Sequence, residues 1–70
     1  MNDKKREKEI TENNKKAKEI LDNGSIFDCQ LFNYPEYNIF MTEYFVSFKN
    51  ELYALLFSKE GCIGIAKTDW

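Results

Sequence analysis

Residues 44–67 read Y-F-V-S-F-K-N-E-L-Y-A-L-L-F-S-K-E-G-C-I-G-I-A-K, from Tyr44 to Lys67. Three apolar runs rich in aromatic and β-branched residues are separated by two short polar breaks. That is the pattern of an antiparallel meander, in which each break is a tight hairpin turn. Lys49-Asn50 supplies the first turn, since Asn tolerates left-handed backbone. Ser58-Lys59-Glu60-Gly61 supplies the second, a type I turn with Gly ready for a bulge. Between them, Glu51–Phe57 is the ambiguous piece. Leu52, Leu55 and Leu56 also fit one face of a short helix ending at Gly61. Its β-rich neighbours and its length favour a strand. In the last run, Ile63 and Ile65 alternate with Cys62, Gly64 and Ala66, and Gly64 leaves room for a bulge, a cross-strand ring or another chain.

Working back from Tyr44, the second strand starts near Tyr37. Phe40, Thr42, Tyr44, Val46 and Phe48 then fall on one face, and Ile39, Met41, Glu43, Phe45 and Ser47 on the other. Pro35 lacks an N–H and breaks the chain before it. Ser25–Tyr34 is the first strand, with Phe27, Cys29 and Leu31 predicted on one face and Asp28 and Gln30 on the other. Residues 1–22 hold straight-chain and charged residues with no Gly or Pro, which predicts a helix. Asp3 is a candidate N-cap, and Asn23-Gly24 is the stop, with Gly expected in the left-handed conformation. Ile10, Ala17 and Leu21, with Ile20 beside them, form a thin apolar stripe. It gives nothing to anchor residues 1–9, which are expected to be a mobile charged arm, with the firm helix from about Thr11 to Asp22. Residues 10–70 then form one small domain. The expected fold is α+β: an N-terminal helix packed on a four-stranded antiparallel β-meander.

Seventy residues bury a modest core, so a second subunit would help stability. Residues 1–22 carry seven Lys/Arg and six acids, and residues 23–70 carry three lysines and six acids, so neither part has a strong field. A bulk nucleic-acid binder would be far more basic. In the helix the charges interleave, as on a solvated face with i,i+4 pairs such as Lys8–Glu12 and Lys15–Glu19. No run is long enough to span a bilayer, and the first residues lack the apolar core of a signal peptide. The expected compartment is the cytoplasm, with both cysteines reduced. Asn, Lys, Ile, Phe and Tyr, which have AT-rich codons, dominate the composition. That associates it with low-GC bacteria and their phages.

No chemistry-bearing motif stands out. The chain has no histidine, and two cysteines cannot complete a zinc site. Cys29 and Cys62 lack the histidine that would activate a thiolate, which predicts buried packing roles. There is no Gly-rich phosphate loop. The expectation is a non-enzyme with no metal or cofactor. The aromatic content, six Phe, four Tyr and one Trp, is the informative feature. One thin helix cannot cover rings on both faces of a sheet. Tyr44, Phe45, Tyr53 and Trp70 are the candidate interface residues, because Tyr and Trp join large apolar area to a polar tip. They predict a protein-binding module, an accessory or inhibitory protein that occludes a protein target, and a two-fold homodimer. The alternative is a nucleic-acid or nucleotide-binding module whose sheet aromatics stack on bases. The net-acidic sheet half disfavours it.

Overall fold

A computed structural model of the chain describes the backbone of residues 2–68 and side chains from Lys4 onward. Helix α1 (Asn2–Asn23) is followed by β1 (Ser25–Tyr34), a 3-10 turn (Pro35–Tyr37), β2 (Ile39–Phe48), β3 (Glu51–Ser58) and β4 (Gly61–Thr68). The strands form one antiparallel sheet in the order β1-β2-β3-β4. The architecture is the expected α+β meander with one helix.

Glu51–Ser58 is a strand and not a helix. It pairs with β2 on one side and β4 on the other, so its backbone groups have ladder partners on both edges. The β2–β3 hairpin turns through Lys49 (φ 50°) and Asn50 (φ 63°), both left-handed. That is the two-residue geometry whose twist matches the flanking strands. Lys49 pays a steric cost there, offset in part by its ammonium lying 5.1 Å from the Phe48 ring centroid. The β1–β2 connection is longer. Pro35 opens the 3-10 turn, Asn38 closes it in left-handed backbone, and β2 therefore begins at Ile39 rather than Tyr37.

The core lies between α1 and one face of the sheet. Ala17, Ile20, Val46, Phe48, Tyr53, Leu55 and Cys62 are buried, with Leu21, Tyr44, Phe57 and Ile65 packed around them. The helix contributes Ala17 and Ile20, one turn apart, and lies over β4 and β2. It does not extend over β1. The helix also starts earlier than its apolar stripe implied. Once a turn exists, each added residue gains a backbone bond without needing a tertiary contact. Side chains from Lys4 to Glu9 are exposed, and Arg6 reaches Glu60 with a 3.1 Å ion pair across the surface. Exposed pairs of this kind contribute little. Removing residues 2–9 should therefore leave the melting temperature within a few degrees. A drop of ten degrees or more in a circular-dichroism melt would show that this segment docks on the body. Along the helix the i,i+4 pair that closes is Lys18–Asp22 at 3.1 Å. Among the described residues, Lys8–Glu12 and Lys15–Glu19 do not close.

Two bulges redirect side chains. In β1 the register shifts between Ile26 and Asp28, so Phe27 is the extra residue. Its ring lies 6.3 Å from Phe45, on the face away from the helix. Phe27 therefore leaves the face of Cys29 and Leu31, where strict alternation had placed it. In β4 the shift between Leu56 and Phe57 makes Ile63 the extra residue. Cys62 thereby joins Ile65 on the helix side instead of sharing a face with Gly64 and Ala66. A one-residue insertion is enough, because side chains alternate with period two.

Gly24 ends the helix differently from expectation. Its φ is not positive, and its N–H donates to the Ile20 carbonyl at 2.7 Å as a last helical bond. It is glycine because the helix end meets β2 there. A Cβ would lie 2.6 Å from the carbonyl oxygens of both Ile20 and Ser47. At Gly61 both reasons apply: φ is +128° and a Cβ would lie 2.8 Å from Asn14 Oδ1.

Candidate functional site

The sheet has one covered face and one open face. By register, the face away from α1 carries Ser25, Asp28, Gln30, Phe32 and Tyr34 from β1; Ile39, Met41, Glu43, Phe45 and Ser47 from β2; Leu52, Ala54 and Leu56 from β3; and Gly64, Ala66 and Thr68 from β4, so its polar residues lie mainly on β1 and β2. Strand alternation puts these residues there, and no second layer of the described residues covers them. Phe27 and Phe45 form a raised aromatic ridge over β1 and β2. Beside it, Ala54 pairs with Ala66 and Leu56 pairs with Gly64, which leaves a low trough over β3 and β4. A Cβ on Gly64 would have Leu56 Cβ, at 3.8 Å, as its one near neighbour. The protein's own packing therefore does not demand glycine at this position. Among the described residues, the charged ones on this face are Asp28 and Glu43, and no Lys or Arg stands on it.

The covered face is covered in part. Beyond the reach of α1, a shallow groove of about 370 Å³ runs between the β1–β2 hairpin and the β3–β4 turn, lined by Leu31, Phe40, Thr42 and Phe57 among others. Leu31 is 76% exposed. The hairpin tip, with Tyr34, Tyr37 and Ile39 all exposed, projects past the end of β3.

The two sheet edges are treated differently. At β4, helix residues Asn13 and Asn14 clamp Cys62. Asn14 Oδ1 accepts the Cys62 N–H at 2.8 Å, and Asn13 Nδ2 donates to the Cys62 carbonyl at 3.2 Å. Both amides face inward from a helix whose other residues there are charged. The signal in the sequence was their type: asparagine is a poor helix former, and two in succession break an otherwise straight-chain run. At β1, by contrast, no helix or strand among the described residues pairs with the outer edge.

The four interface candidates do not converge. Tyr44 lies on the helix side, half-buried, with its ring edge-on to Phe57 at 5.7 Å. Phe45 is on the open face with Phe27. Tyr53 is in the core, 9% exposed, with its ring 6.2 Å from Phe48. Trp70 lies outside the described residues. The open-face residues that alternation did place, but that were not singled out, are Met41, Leu52, Leu56 and the small trio Ala54, Gly64 and Ala66.

Tyr53 donates its hydroxyl to Glu51 at 3.1 Å, and Lys67 pairs with the same carboxylate oxygen at 2.9 Å. The Lys67 bond, then the Tyr53 bond, hold the Glu51 carboxyl below its ordinary 4.5. Burial, then Glu51, raises the Tyr53 hydroxyl, and Glu51 raises Lys67. A carboxyl depressed in the folded state stabilises it above the unfolded value, and that contribution is lost as pH falls through the folded value. The stability difference between the native protein and Glu51→Gln, read from urea midpoints, should be constant near neutrality and shrink below pH 4.5. A difference that grows on acidification would contradict this arrangement.

The thiols differ from each other. Cys62 is fully buried, and burial raises its thiol. Cys29 is exposed, contrary to the packing role expected of it, because α1 does not cover β1. They sit on the two outer strands, at least about 14 Å apart across three strand spacings, too far for a disulfide. In the folded protein Cys29 should react with a thiol reagent in minutes, and Cys62 only at the rate of unfolding. Equal rates would place Cys62 at the surface. Cys62→Ala should cost about 1 kcal/mol, and Cys29→Ala close to nothing.

Among the described residues no three or more Cys, Asp or Glu come together to hold a metal ion, and no helix is long and apolar enough to cross a membrane. Compared with known protein families, curated proteins and solved structures, this chain finds no match.

Proposed function

We propose that this is a non-catalytic protein-binding module of the cytoplasm that acts by covering a surface of its target with the open face of its sheet. The observation that carries the reading is the composition of that face: aromatic ridge, small-residue trough, two acids and no cation. A solvated sheet face normally alternates to polar residues. Here apolar residues run across all four strands, as at the centre of a protein interface. A surface for nucleic acid would need Lys or Arg to neutralise phosphates. The trough also gives Gly64 a reason to be glycine, since a partner's backbone or side chain could approach it closely.

The test is a photo-crosslinking residue at Leu56, in native cells, compared with the same residue at Glu12 on the exposed side of the helix. A protein adduct at Leu56 that is absent at Glu12 and lost in Gly64→Leu, with unchanged circular dichroism, supports the reading. Nucleic-acid adducts at Leu56, or protein adducts insensitive to Gly64→Leu, would overturn it.

A further inference from the structure

We infer that two copies of this chain pair through the outer edges of their β1 strands, antiparallel about a two-fold axis, to make one continuous eight-stranded sheet. The first observation is the asymmetry of the edges. Asn13 and Asn14 hold the outward backbone groups of Cys62, near the start of the β4 edge, and α1 packs along β4. The β1 edge is ten residues long, pairs only with β2, and contains no Lys and no Pro. Natural proteins blunt free edges with lysine, proline, brevity or a bulge. β1 has the bulge at Phe27 and the charge of Asp28, and both lie near the start of the strand.

The second observation locates the pairing. Beside the bulge, the Asp28 carboxylate accepts the Cys29 N–H at 2.8 Å, which occupies that amide locally. The free stretch is then Gln30–Tyr34, whose centre is Phe32. An axis through Phe32 sets Phe32 against its own copy, Leu31 against Asn33 and Gln30 against Tyr34, with faces conserved. Asp28 is the only charged residue in β1. In this register the two Asp28 side chains are about 27 Å apart along the strands, so a like charge does not oppose pairing. A strand shifted to put the axis at Asp28 would bring them together.

The third observation is surface area. The chain exposes 5536 Å², against about 4,600 Å² for a compact monomer of its 8.3 kDa. The excess is close to the roughly 800 Å² per partner that a specific interface buries. The β1–β2 hairpin carries exposed large apolar side chains: Leu31 is 76% exposed, and Tyr34, Ile39 and Phe40 are also exposed. Edge pairing lays the two hairpins side by side and leaves both open faces on one side of the sheet. It does not use the open face, so its failure leaves the function proposed above standing.

The experiment joins sedimentation equilibrium, from micromolar to millimolar protein, with residue-resolved amide exchange. The expected result is a species of twice the chain mass. In it, the amides between Gln30 and Tyr34 that point away from β2 slow at least about tenfold as concentration rises. Leu31→Lys, at an exposed position where folding is not at stake, should return the protein to monomer, and Leu56→Lys on the open face should not. A monomer at all concentrations would overturn the inference. So would a dimer whose outward β1 amides stay fast, or one dissolved by Leu56→Lys and not by Leu31→Lys. Slowing of those amides only when a foreign protein is added would assign the edge to that protein instead of a second copy.

Discussion

Leu55→Ala is expected to remove about 3 kcal/mol of stability, within the range for truncating a fully buried leucine. Leu55 is fully buried on the central strand β3, with Tyr44 and Ile65 as its neighbours on β2 and β4. Ala17 and Ile20 close the core from the helix side. A leucine in that position loses its transfer free energy and leaves a cavity that strands fixed on both sides cannot collapse into. A core this small supplies only about 3–5 kcal/mol in total. The variant should therefore be largely unfolded near 37 °C, with a melting temperature lower by about 4–8 °C for each kcal/mol lost. Leu55→Met, which nearly conserves volume, should cost less than about 1.5 kcal/mol. Urea unfolding followed by circular dichroism measures both. A cost under about 1 kcal/mol for Leu55→Ala would mean that the core is centred elsewhere.

Gly24→Ala is the second large effect, and its sign is the test. At a helix end with ordinary backbone angles, Gly→Ala normally stabilises by about 0.4–1 kcal/mol, because the unfolded chain loses freedom. Here the new methyl would sit 2.6 Å from two backbone carbonyl oxygens and 2.8 Å from Val46 Cγ1. Two of those three atoms belong to backbone, one to the end of α1 and one to β2, and neither can rotate away. The helix would have to lift from the sheet at its most closely packed end. Destabilisation of about 1–3 kcal/mol or more follows. Gly64→Ala is the control within the same protein. Its φ is also not positive, and its added methyl meets nothing closer than 3.8 Å. That variant should be neutral or slightly more stable, so the two substitutions should move the melting temperature in opposite directions. A stabilised Gly24→Ala would mean that α1 does not approach β2 as closely as described.

The sequence by itself determined the elements. Straight-chain residues without Gly or Pro specify α1, alternation specifies the strands, and Lys49-Asn50 and Lys59-Glu60 mark the hairpin turns. These are local properties, set by the backbone preferences and periodicity of neighbouring residues. The faces of β2 were also legible, because no bulge interrupts its run from Phe40 to Phe48. Tertiary structure decided the rest. Pairing on both sides made Glu51–Ser58 a strand where Leu52, Leu55 and Leu56 would also have suited a helix. The bulges at Phe27 and Ile63 moved the Phe27 ring and Cys62 to new faces, and nothing in composition marks where an extra residue enters a ladder. The line of α1 over β2 and β4 buried Tyr53 and Cys62, left Cys29 and Leu31 exposed, and turned Asn13 and Asn14 into a clamp on the sheet edge. Periodicity tells which side chains share a face. Which face is covered depends on contacts between residues up to about fifty positions apart, as between Asn13 and Cys62, and those contacts exist only once the helix has docked.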